Sequence, residues 1–250
     1  MHAPLQAMSC LGGSARVRWS EGLSGPTGGL AWHTRALRSL DRWEHFRQGV
    51  RGWLSTWNPH SEALILVGPS AGWTLPGDFL ARFRHLYCID IDPLARPLFH
   101  WVHGARLRMA GVDVRWVRAD FMQSADALLR ARPNAAVLLA NMLGQHGFRS
   151  ASASAAQDDI RLLQERLAPR SWASFHDRLS GAMSATTPLP NGFDHQGPIS
   201  TEALARRVGR TGLWHDHLTA DALPSQAARR LMPWRIHPTR VHWVEAGHGN

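Results

Sequence analysis

Short apolar runs alternate with helix-patterned segments from residue 60 onward, and this alternation limits the fold more than any other feature of the chain. A parallel sheet with helices on both faces produces such an order, because each strand is followed by a crossover helix. Several runs are apolar at every position, as strands buried on both faces must be. The pattern predicts strands at 63–67, 86–90, 112–117, 135–140, 172–176, 213–218 and 239–246.

Helices are predicted between these strands, at 76–84, 93–110, 124–131, 155–167 and 201–209. The second of them has clear ends. Asp92 can cap it, Pro93 suits its first turn, and Gly111 supplies the left-handed residue that ends it. The predicted fold class is therefore α/β, a doubly wound sheet with helices on both faces.

The first 58 residues differ from the rest of the chain. Residues 1–29 are rich in glycine, serine and proline, which predicts a flexible N-terminal arm. Residues 30–58 are predicted to form a helical extension or lid, with Asp41 as N-cap and Asn58-Pro59 as its end. Large apolar residues recur there at three- and four-residue steps, on one helix face: Trp43, Phe46, Val50, Trp53, Leu54 and Trp57.

Composition limits the partners and the compartment. The formal net charge is +9, and every basic residue is arginine. These arginines are scattered, so nucleic acid stays open as a partner but no polybasic tract favours it. No apolar run is long enough to span a membrane and the first twenty residues lack a secretory pattern, which predicts a cytoplasmic protein. Cys10 and Cys88 form neither a disulfide framework nor a zinc pattern.

Three strand ends carry groups that suit a nucleotide cofactor. The first strand runs into Gly68, Ser70 and Gly72, where small residues let the backbone approach a ligand. Asp90 ends the second strand, and a carboxylate there can accept both hydrogens of a ribose diol. Asp120 closes the third strand and can accept a hydrogen bond from an adenine amino group. The sequence predicts one crevice around these three strand ends.

The motifs resemble those of the class I S-adenosylmethionine-dependent methyltransferases over residues 60–246: LILVGPSAGW, IDIDP, RADF, LLANMLGQ and RVHWVEA. The resemblance implies that residues 59–250 form a Rossmann-like cofactor-binding domain. It also implies a mostly parallel, seven-stranded sheet in which RVHWVEA is antiparallel beside the fifth strand. The implied cofactor is S-adenosyl-L-methionine, and the implied reaction is methyl transfer by in-line displacement to an acceptor that the sequence does not identify.

The same resemblance assigns roles to individual residues. Gly68, Ser70 and Gly72 would line the methionine and ribose part of the cofactor, with Asp90 on the ribose hydroxyls. A further set would surround the adenine and the reacting centre: Ile91, Asp120 and Phe121 at the adenine, and Asn141 at the reacting centre.

A hydroxyl or protonated amine acceptor needs a base, and histidine is suited to that role near neutral pH. The candidates are His146 after the fourth strand and the pair His176 and Asp177 after the fifth, with His176 preferred. His215 and His217 alternate in one strand and could share a metal ion. No matching third ligand is evident in the sequence, so no metal site is predicted.

Two alternative functions stay open at this point. An NAD(P)-dependent oxidoreductase also has an acid after a glycine turn, although the full G-x-G-x-x-G is absent. A non-catalytic protein that retains the methyltransferase fold is suggested by Leu66 and Ser70, where the family usually has an acidic residue and a glycine. Residues 181–200 are predicted as a loop that could cover the acceptor. Trp32, Trp43 or Trp53 could shape the acceptor site, although helical spacing favours burial in the core.

Overall fold

The computed structural model describes residues 29–208 and 214–249. Apart from Gly29, the predicted N-terminal arm lies outside the described residues, as does Cys10. The described strands are β1 (Ala63–Val67), β2 (His85–Asp90), β3 (Asp113–Arg118), β4 (Ala136–Ala140), β5 (Trp172–Ala182), β6 (Phe193–Gln196), β7 (Trp214–Asp216), β8 (Ala228–His237) and β9 (Arg240–Gly249). The described helices are α1 (Gly29–Leu37), α2 (Leu40–Thr56), α3 (Gly77–Leu80), α4 (Ala95–Met109), α5 (Phe121–Arg130), α6 (Leu143–His146), α7 (Ala153–Leu167) and α8 (Thr201–Arg207).

The strands form one sheet in the order β3-β2-β1-β4-β5-β9-β8-β6, and β7 pairs with the far end of β5. Strands β1 to β5 pair in parallel, and the chain order reverses between β1 and β4. Strand β9 lies antiparallel between β5 and β8. The predicted doubly wound class and the antiparallel strand formed by RVHWVEA are therefore confirmed.

Both faces of the central strands are buried. Leu64, Leu66 and Leu138 belong to a core cluster that also contains residues of α2 and α4. Ile65 and Val67 point to the other face, into a cluster with residues of α5 and α7. This division of alternate residues explains why β1 reads as an unbroken apolar run in the sequence.

The helical segment before β1 is divided into α1 and α2 rather than being continuous. All the apolar residues predicted to share a face are buried. The predicted N-cap is wrong by two positions, because α2 begins at Leu40 with Ser39 in the cap position, without a side-chain cap hydrogen bond. Asp41 instead lies in the first turn, where a negative charge is favourable next to the helix dipole.

Two strands and one short helix were not predicted: β6, β8 and α6. Strand β8 contains Pro233, which in a sequence argues against a central strand. It nevertheless pairs on both sides, with β9 and β6. The predicted sixth strand, 213–218, is only the short β7 in the described residues, and the sheet has nine strands instead of seven. The predicted loop at 181–200 contains β6 and the end of β5.

None of the described helices combines the length and apolarity that crossing a membrane requires.

Candidate functional site

A cleft opens at the carboxyl ends of β1 to β4. The predicted cofactor residues line it with the exception of Gly72: Gly68, Ser70, Asp90, Ile91, Asp120, Phe121 and Asn141. Of the predicted catalytic residues, His146 lines it as well. The structure thus brings together groups from four different strand ends, as the doubly wound topology requires at the point where the chain order reverses.

The turn after β1 depends on left-handed backbone conformations. Gly68 has φ +65°, and a Cβ there would lie 2.9 Å from the Cβ of Met142. Ser70 has φ +53°, which is uncommon for a residue with a side chain. Strained conformations of this kind often occur at functional sites, where surrounding contacts enforce them. Here the Ser70 amide donates to Asp90 Oδ2 at 2.7 Å.

Gly72 has a packing role instead of the predicted place at the cofactor. Its carbonyl oxygen is hydrogen-bonded to His103 Nε2 at 3.0 Å. A Cβ at this position would collide with the His103 ring and approach Phe99 to 3.2 Å. Gly72 therefore lets the turn pack closely on α4, on the side away from the cleft lining.

Among the acids that line the cleft, Asp90 has a strongly raised pKa. Its Oδ1 accepts from the Asp92 amide at 2.9 Å, in addition to the Ser70 contact at Oδ2. Burial raises the pKa of Asp90 to about 6, against the lowering effect of these two backbone hydrogen bonds. An ionised carboxylate has about four acceptor sites, so Asp90 keeps capacity for a ligand above that pH.

Asp120 serves two structural purposes at the same edge. It is the N-cap of α5, where its Oδ1 accepts from the Met122 amide at 2.9 Å. Its Oδ2 lies 3.5 Å from Arg149 Nη1. The cap orients the carboxylate, and Oδ2 is the oxygen that a ligand in the cleft can approach.

Helix α1 forms one rim of the cleft, held by Asp92. The Gly29 amide and His33 Nε2 contact Asp92 Oδ2 at 2.8 and 3.0 Å. Trp73 Nε1 donates to His33 Nδ1 at 3.2 Å, so the ring proton of neutral His33 is on Nε2. Trp32 lines the cleft and donates to Ser70 Oγ at 3.1 Å. The sequence suggested Asp92 only as a helix cap, and nothing in it indicated the contact with His33.

Trp43 and Trp53 do not reach this cleft. Both are buried in the core cluster. Of the three tryptophans considered for the acceptor site, Trp32 is the one at the cleft, and Trp234 of β8 joins it there. Trp234 was missed because its strand was missed.

The preferred base, His176, is placed wrongly by the sequence prediction. It is completely buried and contacts Ser174 Oγ at 2.9 Å and Glu245 Oε2 at 3.6 Å, and it is not among the cleft residues. Burial lowers its pKa. The physical reason is the length of β5, which pairs with β9 as far as Ala182, so His176 lies inside the strand and not at its end.

Asp177 also lies outside the cleft lining, behind Asn141. Its amide donates to Asn141 Oδ1 at 3.0 Å, and its Oδ2 is 3.5 Å from Asn141 Nδ2. His146, in contrast, lines the cleft, with Nε2 at 2.8 Å from Asp159 Oδ2. Of the three predicted catalytic residues, His146 is the one that a ligand in the cleft could touch.

No profile of a known protein family matches the chain, and no curated protein matches it. Among solved structures, the chain is similar to the N-methyltransferase NodS from Bradyrhizobium japonicum in complex with S-adenosyl-L-homocysteine, with 14% identity over 92% of this chain and 96% of that one and a TM-score of 0.45. It is also similar to the magnesium protoporphyrin IX methyltransferase ChlM from Synechocystis, with 13% identity over 93% of each chain and a TM-score of 0.47. A third similar structure is a SAM-dependent methyltransferase from Anabaena variabilis, with 14% identity over 87% of this chain and 93% of that one and a TM-score of 0.45.

Proposed function

We propose that the chain binds S-adenosyl-L-methionine in the cleft at the carboxyl ends of β1 to β4 and transfers its methyl group to an acceptor. The observation that supports this most is the convergence of the Gly68–Ser70 turn, Asp90 and Asp120 on one cleft. A ribose diol and an adenine amino group need separate hydrogen-bond acceptors, and Asp90 and Asp120 supply them from adjacent strands.

Each cleft residue has a role in this proposal. Asp90 accepts the hydrogen bonds of the ribose hydroxyls, and Asp120 Oδ2 accepts from the adenine amino group. Ile91 and Phe121 provide the apolar surfaces beside the base. Asn141 has both side-chain groups directed to Asp177, so it acts as a fixed wall at the reacting centre.

Held in this cleft, the cofactor would supply an electrophilic methyl carbon to the acceptor, with S-adenosylhomocysteine as the leaving group. The protein therefore mainly has to align the reactants and exclude water. We assign the acceptor's proton to His146. Asp159 accepts from His146 Nε2–H, which leaves the lone pair of Nδ1 as the proton acceptor. This pairing replaces the assignment of His176.

Three tryptophan side chains contribute to the rest of the wall: Trp32, Trp73 and Trp234. Aromatic surfaces of this kind favour a ligand with a flat, apolar face. We therefore propose a small-molecule acceptor. Incubation of the protein with methyl-labelled cofactor and fractionated lysate should place the label in the small-molecule fraction, whereas label in protein or nucleic acid would contradict this part of the proposal.

Cofactor choice is tested by thermal unfolding with S-adenosylhomocysteine or NADH. A ligand at about 100 times its Kd stabilises the folded state by about 2.7 kcal/mol, which for a domain of this size raises Tm by about 5–10 °C. We expect this rise with S-adenosylhomocysteine and none with NADH. The reverse result would favour an oxidoreductase. A folded protein that gives no calorimetric signal with millimolar S-adenosylhomocysteine would favour a non-catalytic protein.

A further inference from the structure

Three potential metal ligands from separate elements meet beside the cleft. They are Asp177 in β5, His217 just after β7 and His242 in β9, and one ligand atom of each lies within 4.8 Å of the others. Asp177 Oδ1 is 3.0 Å from His242 Nδ1. We infer that these residues form a binding site for one divalent first-row transition-metal ion, with zinc as the representative case.

The hydrogen bonding of His217 leaves one ring nitrogen for a metal. Its Nδ1 is 2.8 Å from the carbonyl oxygen of Gly144, and a carbonyl oxygen only accepts, so Nδ1 carries the proton. Nε2 then keeps its lone pair, which accepts from the Ser180 hydroxyl at 3.1 Å, and a metal bound to Nε2 would replace this hydrogen bond. Metal-ligating histidines commonly have this arrangement, with one nitrogen donating to a backbone carbonyl and the other on the metal.

The other two ligands have buried atoms that lack a hydrogen bond. Asp177 Oδ1 and His242 Nδ1 are both buried, and neither has a hydrogen-bond partner among the described residues. The two atoms face each other as an ion pair at 3.0 Å, without the angle that a hydrogen bond requires. A buried, unsatisfied carboxylate oxygen is costly, and a cation between these two atoms would satisfy both.

The donor set indicates which ions fit. Imidazole and carboxylate ligands suit zinc and the neighbouring divalent transition metals. Three protein ligands leave coordination positions open, as in sites where the metal binds solvent or substrate. Because Asp177 is hydrogen-bonded to the cleft residue Asn141, the ion would lie directly behind the cleft wall. Metal binding at this site does not depend on the proposed methyl transfer.

The sequence suggests His215 as a residue that could share a metal ion with His217, but the cluster does not include it, although the two rings are 4.8 Å apart. His215 shares its short stretch of chain, but it is exposed and stacks on Phe148, with ring centroids 5.0 Å apart. His217 instead turns inward, towards residues of β5 and β9. The third ligand could not be matched from sequence, because it comes from a strand that only the folded sheet places beside β5. His215 therefore serves as a matched control.

The test uses the full chain, freed of metal with a chelator and titrated with Co²⁺ under visible absorption, with Zn²⁺ competition. We expect one Co²⁺ per chain, displaced by Zn²⁺. His217→Ala and Asp177→Asn should each weaken Co²⁺ binding by more than roughly 100-fold, since even loss of a supporting residue costs 10–100-fold. His215→Ala should bind like the wild type.

Circular dichroism shows whether each variant is folded. His242→Gln replaces any variant that is not. The proposal is overturned if the wild type binds no Co²⁺, if folded Asp177→Asn, His217→Ala and His242→Gln all retain its affinity, or if His215→Ala loses as much as His217→Ala. Titration of the metal-free wild type with S-adenosylhomocysteine measures binding at the proposed cofactor site. The failure of one proposal can therefore be told apart from the failure of the other.

Discussion

At the scale of single residues, the role of Asp90 predicts how ligand affinity in the cleft depends on pH. Ribose hydroxyls donate to a carboxylate, so the ligand prefers the ionised form of Asp90. Because burial raises the pKa of Asp90 to about 6, the affinity for S-adenosylhomocysteine should decrease as pH falls below 6, by up to about tenfold per pH unit. Calorimetric titrations between about pH 5 and about pH 8 measure this.

Stability should respond to Asp90 in the opposite direction. A folded-state pKa above the unfolded value means that the folded state takes up the proton first as pH falls. The carboxylate therefore destabilises the fold above the folded pKa, and this destabilisation decreases as pH falls from about 6 towards the ordinary value of 3.8. An affinity for S-adenosylhomocysteine that stays constant from about pH 5 to about pH 8 would contradict the assignment of Asp90 to the ribose.

Replacing Asp90 separates binding from folding. Asp90→Asn has one acceptor oxygen, so it can keep the hydrogen bond from the Ser70 amide or from the Asp92 amide but not both. It also loses the charge-assisted bonds to the ligand, worth about 1.5–3 kcal/mol. We expect roughly 10–100-fold weaker S-adenosylhomocysteine binding in a variant that still folds, because removal of the buried charge offsets the loss of one backbone hydrogen bond. Asp78→Asn, at an exposed position, is the control and should bind like the wild type. Equal binding by Asp90→Asn would rule out the proposed contact.

Glu245 is a buried acid of β9 that is surrounded by basic side chains. It is fully buried and accepts from Arg229 Nη1 at 2.9 Å. Arg178, His176 and His195 approach its carboxylate at 3.5–3.6 Å. Although burial alone would raise it, the pKa of Glu245 is lowered by His176, His195 and Arg178. Its stabilising contribution is therefore fully present above the ordinary pKa of 4.5 and is lost as pH falls below that value.

Glu245→Gln should be strongly destabilising, because it leaves buried Arg229 without its countercharge. The loss of one partner of a buried ion pair typically costs about 3–5 kcal/mol. Urea unfolding at pH 7 measures the free energy of unfolding, with exposed Glu202→Gln as a control expected within about 0.5 kcal/mol of the wild type. A variant as stable as the control would mean that the buried cluster is not a determinant of stability.

At the scale of elements, α2 is fixed to the sheet by an aromatic cluster centred on β8. Trp234 stacks on Phe46 at 4.6 Å between ring centroids and meets Trp43 edge-on at 4.9 Å. The sequence predicts the apolar face of α2 from periodicity alone. It does not predict the partner strand. Pro233 argues against a strand at β8, and periodicity does not indicate which strand a helix face contacts.

Trp234→Ala should therefore detach α2 from β8. The cavity left by a buried tryptophan costs about 3–5 kcal/mol. The matched control is Trp101→Ala, since Trp101 is 68% exposed and should cost less than about 1 kcal/mol. Chemical denaturation of both variants gives the comparison, and equal losses would show that the cluster does not hold α2.

At the scale of the whole molecule, the order of strands and helices is the feature that the sequence predicts best. Continuous apolar runs locate β1 and β4. The motifs that follow β1, β2 and β3 predict Gly68, Asp90 and Asp120 at one edge of the sheet, and the structure has all three in one cleft. The prediction fails where long-range pairing decides the outcome. The length of β5 depends on its pairing with β9, which lies far along the chain. The sequence therefore predicts that the strand ends at His176, whereas it continues to Ala182.

The same limit applies to the candidate sites. Local motifs identify groups that follow one strand each, and the parallel topology then brings these groups together. The cluster of Asp177, His217 and His242 has no local motif, because its members come together only through antiparallel pairing of β5 with β7 and β9. The rim formed by His33 and Asp92 likewise depends on where α1 packs.

A crystal structure of the chain grown with S-adenosylhomocysteine would show whether this cleft holds the adenosine part of the cofactor. We expect the ribose hydroxyls about 2.5–2.7 Å from the Asp90 carboxylate, the usual range for such charge-assisted bonds, with the adenine beside Ile91 and Phe121. Ligand bound elsewhere on the molecule, or ligand in the cleft with its ribose turned away from Asp90, would contradict this expectation.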